Sequence, residues 1–196
     1  YMLVYSAYEQ GRPNAVELLK DYLDVYPASR HADEVNFLIG SAHFGQGEYQ
    51  KAIFWFNESI IDMLSPEQQE AYCFRLAYSL LQIWDMEKAR GYFARIEQIG
   101  TKYREASTYY VAYIDYATGI YNNALVEFTR LKDLPDYKER SLYYITQIYF
   151  IQNKYEKVIS EGKELLASSP DSENNSEDYR NMGNANYHLG NEDQAI

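Results

Sequence analysis

The chain has 196 residues, of which 46% are hydrophobic and 24% are charged, a composition typical of a globular protein. Its 18 Lys and Arg stand against 29 Asp and Glu, giving a formal net charge of −11, and this argues against nucleic acid as a partner because no basic face is available to neutralise phosphates. No run approaches the roughly 20 apolar residues of a membrane helix, so we expect no membrane insertion by this segment, and the single cysteine, Cys73, is too few for a disulfide or a thiolate zinc site.

A small residue followed four positions later by a large apolar residue recurs along the chain. Successive occurrences of the small residue are 34 to 37 residues apart. A fixed period within about 20 to 50 residues indicates a repeat architecture. The pattern is carried by Ala15/Leu19, Ala52/Phe56, Ala89/Phe93 and Ala124/Phe128, and it continues through Val158 and Ala195.

Each repeat divides into two helices at a turn that lies about five residues before the small residue. Gly47, Gly119, Asn153 and Gly190 mark these turns. Apolar residues recur at three- and four-residue spacing on both sides, which predicts helices of about 12 to 14 residues. The small residue allows the two helices of one hairpin to approach closely, and the large residue fills the gap one turn later.

Prolines mark the boundaries between repeats, because proline lacks the amide hydrogen and restrains the residue before it. Ser65-Pro66-Glu67-Gln68 predicts a helix start with a capping box, and Ser168 to Ser176 predicts a longer loop between hairpins. The four junctions are Tyr26-Pro27, Ser65-Pro66, Leu134-Pro135 and Ser169-Pro170. We predict one domain over 1–196 with units of about 1–29, 33–66, 70–103, 105–138, 139–172 and 176–196, the first and last being truncated.

These residues resemble the tetratricopeptide repeat (TPR) family, whose unit is a helix, a turn and a helix of about 34 residues. The resemblance covers essentially the whole chain and implies an all-α fold, a right-handed superhelix or α-solenoid of antiparallel helical hairpins. Trp84 stands where the family has its turn Gly, and Gly162 stands where it has its Phe. The best match runs through Ile39-Gly40, Gly47, Tyr49, Ala52, Phe56 and Pro66.

The junction from Tyr26-Pro27 to Glu34 is similar to that of bacterial cell-envelope TPR proteins of the BamD kind. This resemblance places the periplasm or cell envelope beside the cytoplasm as equal alternatives for the location. Tyr1 begins inside a first helix and Ile196 follows the small residue of a second helix. We therefore expect uncapped terminal units, through which the chain can associate with itself.

The aromatic content points to a binding surface. Tyr supplies 22 residues, more than small hairpins need for packing, so some rings are expected to face water or a partner. In the resembling family the first helices line a concave groove, and rigid aromatic anchors there suit an apolar peptide segment; the alternative is that these rings pack against the neighbouring repeat. The resemblance implies groove residues Phe37, Ser41, Phe44, Phe74, Tyr78, Leu81, Tyr109, Tyr113, Tyr116, Tyr143, Gln147 and Phe150.

No motif of catalysis or nucleotide binding accompanies the repeats. There is no P-loop and no zinc-protease motif, the three histidines His31, His43 and His188 fall in different repeats, and we expect no catalytic residue, metal or cofactor. We predict a protein-protein interaction scaffold, not an enzyme, with a protein or peptide partner. Two alternatives stay open: a glycan-binding scaffold, since aromatic rings also stack on sugars, and a sensor or regulatory repeat module of a larger protein whose effector domain lies elsewhere.

Overall fold

A computed structural model describes residues 1–99, 101–168 and 175–191. Within these ranges all regular secondary structure is helical, which confirms the predicted all-α fold class. A short 3-10 helix, Ile61–Met63, accompanies the α-helices. The α-helices are α1 Met2–Glu9, α2 Ala15–Val25, α3 Ala32–Gly45, α4 Tyr49–Asn57, α5 Pro66–Gln82, α6 Met86–Ile99, α7 Arg104–Ala117, α8 Tyr121–Leu131, α9 Lys138–Ile151, α10 Tyr155–Ser168 and α11 Asn175–His188.

Consecutive helices pack as hairpins. Helices α1 and α2, α3 and α4, α5 and α6, and α9 and α10 are in contact, and α10 also packs on α11. Three-residue connections join the helices of the second to the fifth hairpin, and connections this short make the joined helices antiparallel. The chain divides into two compact units, residues 1–107 and 108–196, with the boundary inside α7.

The small and large residues of the repeat lie in the cores of these units, as predicted. Ala52 and Phe56 are fully buried in the first unit, and Ala124 and Phe128 are fully buried in the second. Gly40 of α3 explains how closely α3 and α4 approach, because a Cβ atom built there would lie 2.8 Å from the Phe56 ring. The helix contact therefore depends on a missing side chain on one helix and a large one on the other.

Gly162 has a comparable role in the second unit. A Cβ atom at this position would lie 2.7 Å from the Sδ atom of Met182 in α11. Met182 therefore occupies the space that the family pattern assigns to a Phe at position 162. The departure from the pattern is thus compensated by a side chain of the following helix.

The predicted turns have the left-handed backbone conformation that glycine favours. Gly47, Gly119 and Gly190 have φ values of 72°, 81° and 74°. The equivalent turn of the third hairpin uses Trp84 at φ 65°, and that of the fifth uses Asn153 at φ 55°. Asn tolerates this conformation, whereas a bulky side chain such as Trp is strained in it.

Other local features concern the start of α5, Cys73 and two positions near the end of the chain. The Ser65 hydroxyl accepts a hydrogen bond from the Gln68 amide and the Gln68 side chain accepts one from the Ser65 amide, so the capping box is confirmed. Cys73 is buried, as a small apolar group would be. The predicted loop over 168–176 lies mostly outside the described residues, and Ala195 lies entirely outside them. Among the helices that the structure describes, none is both long and apolar enough to cross a membrane.

Candidate functional site

The residues of the predicted groove are buried or half-buried. In the first unit Phe37, Ser41 and Leu81 are buried, whereas Phe44, Phe74 and Tyr78 are half-buried. In the second unit every predicted residue is half-buried. These are Tyr109, Tyr113, Tyr116, Tyr143, Gln147 and Phe150.

In the first unit, side chains of α5 and of the turn before α7 contact the predicted residues. Arg75 of α5 donates a hydrogen bond from Nη1 to the Ser41 hydroxyl over 2.6 Å, and its guanidinium lies 5.6 Å from the centre of the Phe37 ring. The Phe74 ring stacks on Tyr103 with 4.5 Å between the ring centres. Much of this surface is therefore already in contact with the chain itself.

In the second unit, tyrosines of α7 and α9 form a cluster. Tyr144 stacks on the buried Phe128 ring with 4.9 Å between centres and contacts the rings of Tyr109, Tyr113 and Tyr116. We call Tyr109, Tyr113, Tyr116 and Tyr144 the tyrosine cluster. Burial raises the pKa of Tyr109, Tyr116 and Tyr144, so their hydroxyls remain neutral and can donate and accept hydrogen bonds.

A cavity of about 250 Å³ opens beside the tyrosine cluster. Of the predicted groove residues, Tyr109 and Tyr143 line it. Its wall draws on four helices: Tyr109 of α7, Glu139, Arg140, Tyr143 and Tyr144 of α9, Leu165 of α10 and Asp178 of α11. The cavity is smaller than the roughly 300 to 1,000 Å³ of pockets for drug-sized ligands, so it suits a single side chain.

Asp178 is the unusual member of this wall. Its side chain is buried, with 1% of the residue surface exposed, and its Oδ1 atom has no hydrogen-bond partner among the described residues. Burial raises the pKa of Asp178 to about 6, and the nearby carboxylates of Glu177 and Glu139 add to this shift. A buried carboxylate oxygen without a partner is costly unless a cation or a donor approaches it.

Tyr143 connects the cavity to a further acidic side chain. Its hydroxyl donates a hydrogen bond to Oε2 of Glu177 over 3.2 Å. Burial and the Glu177 charge raise the pKa of Tyr143 to about 12. Glu139, Glu177 and Asp178 thus place three carboxyl groups at or beside the cavity, against the single guanidinium of Arg140.

The site has the chemistry of a binding surface. Across the described ranges no group of three or more His, Cys, Asp and Glu side chains is arranged to hold a metal ion. The cavity wall offers tyrosine rings and hydroxyls, carboxylates, one guanidinium and the apolar side chain of Leu165. Such a set can enclose an aliphatic chain that carries a polar or charged end.

The sequence-based prediction missed Tyr144, Glu139 and Asp178. Asp178 follows Glu177 in the first turn of α11, where acidic residues are common on exposed helix ends. The signal that was available is that Asp178 and Asn181 are spaced three apart, as residues on one helix face are. Both are buried, so this face of α11 packs within the second unit although it carries polar residues.

The chain is similar in fold to solved helical-repeat structures. MamA of AMB-1 has 10% sequence identity and a TM-score of 0.70, covering 84% of this chain and 86% of its own. YrrB, described as a TPR protein with an unusual peptide-binding site, has 10% identity and a TM-score of 0.70, covering 89% and 87%. A tetratricopeptide repeat protein from Parabacteroides merdae has 15% identity and a TM-score of 0.68, covering 99% and 73%.

These neighbours confirm the predicted tetratricopeptide fold. At identities of 10 to 15% the likeness concerns the arrangement of helices. No protein-family model matches the sequence, and no curated protein matches it.

Proposed function

We propose that the chain is a protein-interaction scaffold that receives a peptide segment of a partner along the first helices of its second unit. The observation that carries the proposal is the cavity of about 250 Å³ beside the tyrosine cluster. Its wall combines half-buried tyrosine rings with polar groups, and rigid aromatic side chains are the commonest anchors of peptide and protein interfaces. The neighbour YrrB has a described peptide-binding site on the same fold.

The predicted groove residues fit this proposal to different degrees. Tyr109 and Tyr143 line the cavity directly, while Tyr113 and Tyr116 support it through their ring contacts with Tyr144. In the first unit Phe37 and Ser41 are buried beneath Arg75 contacts. We therefore propose that the second unit contributes most of the affinity for the partner.

Selection of peptides from a displayed random library against the purified chain tests the proposal. We expect selected peptides to bind the wild-type protein in calorimetric titrations. Tyr143→Ala should weaken binding by about 2 kcal/mol or more, as hot-spot aromatics do. Tyr187→Ala is the matched control, because Tyr187 also belongs to the second unit but is exposed. Failure to select any peptide, or equal losses in both variants, would count against a peptide site at this cavity.

The same purified protein distinguishes the alternative functions. A glycan-binding scaffold would retain oligosaccharides on a glycan array and select no peptides. A regulatory module would show its effector domain in the sequence that flanks this segment in its gene. The proposed cell-envelope location is supported only by the junction from Tyr26-Pro27 to Glu34, and fractionation of cells that express the natural protein would test it.

A further inference from the structure

The wall of the cavity in the second unit includes a buried carboxylate. Asp178 is buried while Glu139 and Arg140 of the same wall are exposed. Oδ1 of Asp178 accepts no hydrogen bond from any described residue. We infer that this cavity binds the side-chain ammonium group of a lysine in the partner segment, an inference that rests on the proposed peptide-binding function.

The charges around the cavity favour a cation. Glu139 and Glu177 lie close enough to Asp178 to disfavour its ionised form, so a positive ligand would relieve the repulsion among all three carboxylates. Arg140 is the one cationic side chain that the described residues contribute to the wall, and solvent screens its charge because it is exposed. The formal net charge of −11 would also attract a basic segment over longer distances.

The rings and the shape of the wall favour lysine in particular. Tyr109, Tyr143 and Tyr144 line the cavity, and the ring and the hydroxyl oxygen of a tyrosine both attract an ammonium group. Leu165 supplies apolar surface for the methylene groups of the lysine stem. A compact ammonium has three donors and can bond a carboxylate oxygen and a tyrosine hydroxyl together, whereas a planar guanidinium prefers two parallel acceptors.

The test uses the full chain and three capped pentapeptides of sequence Ala-Ala-Xaa-Ala-Ala, where Xaa is lysine, norleucine or arginine. Norleucine keeps the aliphatic stem and removes the charge. NMR titration followed at the Asp178 carboxyl carbon reports binding at the cavity itself. We expect saturable binding of the lysine peptide and weaker binding of the arginine peptide, because a planar guanidinium prefers two parallel acceptors. The norleucine peptide should bind at least about tenfold more weakly than the lysine peptide, because loss of the buried ion pair removes the main attraction.

Asp178→Asn keeps the shape of the side chain and removes the charge. We expect this variant to bind the lysine and norleucine peptides within about threefold of each other, because the charge that distinguishes them is gone. Binding to this variant is followed at the tyrosine ring signals. Glu156→Gln is the matched control, since it removes one negative charge from the exposed first turn of α10 and should leave the lysine preference intact.

Three results would overturn the inference. The first is equal affinity of wild-type protein for the lysine and norleucine peptides, and the second is no saturable binding of the lysine peptide. The third is an unchanged lysine preference in Asp178→Asn. In each case, library peptides that still depend on Tyr143 would leave the proposed function standing. Loss of all peptide binding from the library would instead overturn the proposed function.

Discussion

The two compact units share the repeat but differ on their first helices. In both units buried small and large residues, such as Ala52 with Phe56 and Ala124 with Phe128, hold the hairpins together. At the predicted groove positions the first unit has Phe37 and Ser41, which are buried beneath Arg75. The second unit has half-buried tyrosines around a cavity whose wall includes Asp178. The repeat pattern therefore leaves the first-helix positions free to differ, and binding chemistry depends on them.

Removing two tyrosines from the second unit should separate binding from folding. We expect Tyr113→Ala with Tyr116→Ala to weaken peptide binding by about 2 kcal/mol or more through loss of support for Tyr144. Stability should fall by less than the 3–5 kcal/mol or so of an emptied aromatic core site, because both rings are half-buried. Calorimetric titration and thermal unfolding of the same variant check both values.

The control for this double variant is Tyr179→Ala with Tyr187→Ala. Both of these tyrosines are exposed on α11 in the same unit, so binding and stability should change little. A large loss of stability in the first variant, without a separate effect on binding, would assign Tyr113 and Tyr116 to the core of the unit.

The close helix contact at Gly40 in the first unit should tolerate an added methyl group less well than the contact at Gly162 in the second unit. A Cβ atom at Gly40 would meet the rigid Phe56 ring, whereas one at Gly162 would meet the thioether of Met182. We expect Gly40→Ala to destabilise by about 1 to 3 kcal/mol through overpacking. Gly162→Ala should cost less than about 1 kcal/mol, because methionine has several rotatable bonds and moves aside. Urea unfolding of the two variants measures the difference.

Gly45→Ala provides the control for these glycine variants. It lies in α3 with Gly40, and a Cβ atom there would meet nothing within 4 Å. Alanine favours helix by up to about 1 kcal/mol over glycine, so this variant should be neutral or slightly stabilising. Equal losses of stability in Gly40→Ala and Gly45→Ala would show that the contact of Gly40 with Phe56 does not limit how closely α3 and α4 pack.

The buried acid of the second unit should make stability depend on pH. The folded state raises the pKa of Asp178 from 3.8 to about 6, so the folded protein holds this proton more tightly than the unfolded chain. Protonated Asp178 therefore contributes to the stability of the folded protein below about pH 4, and this contribution is lost as the pH rises to about 6. Among the described residues, the charged groups that line the cavity with Asp178 or act on its carboxylate are Glu139, Arg140 and Glu177.

The Asp178→Asn variant has no carboxyl group to ionise at this position, so it should not lose stability in this way as the pH rises. We expect the variant to be more stable than wild type at pH 7 by about 1 to 3 kcal/mol, since one pKa unit corresponds to about 1.4 kcal/mol, and to have nearly equal stability at about pH 3. Denaturant unfolding at both pH values measures this. A destabilised variant at pH 7 would mean that Asp178 has a stabilising partner in the folded protein.

The smallest expected effect concerns the turns that both units share. Trp84 has a φ of 65° and is 74% exposed, so its replacement removes strain and little packing. We expect Trp84→Gly to raise stability by about 0.5 to 1 kcal/mol, the relief of strain being partly offset by the greater freedom of glycine in the unfolded chain. Asn153→Gly is the control in the second unit. It should be nearly neutral because Asn already tolerates this conformation, and thermal unfolding resolves the two cases.

Much of the fold was predictable because it depends on local patterns. The pairs Ala52/Phe56 and Ala124/Phe128 recur with the period of the repeat, and periodic small and large residues must pack where helices meet. Gly47 and Gly119 marked turns because the left-handed backbone conformation of these turns favours glycine. The capping box at Ser65 was equally local, since its two hydrogen bonds join residues three apart.

The sequence by itself thus determined the helical hairpins, their turns and the aromatic character of the first helices. Only the tertiary structure decided which tyrosines surround a cavity and that Asp178 is buried in its wall. An acidic residue in the first turn of a helix is equally compatible with solvent, so no local pattern reveals its burial. Burial depends on which helices pack around that turn, and α9, α10 and α11 are in contact there, for example through the hydrogen bond of Tyr143 with Glu177, which are 34 residues apart in the sequence.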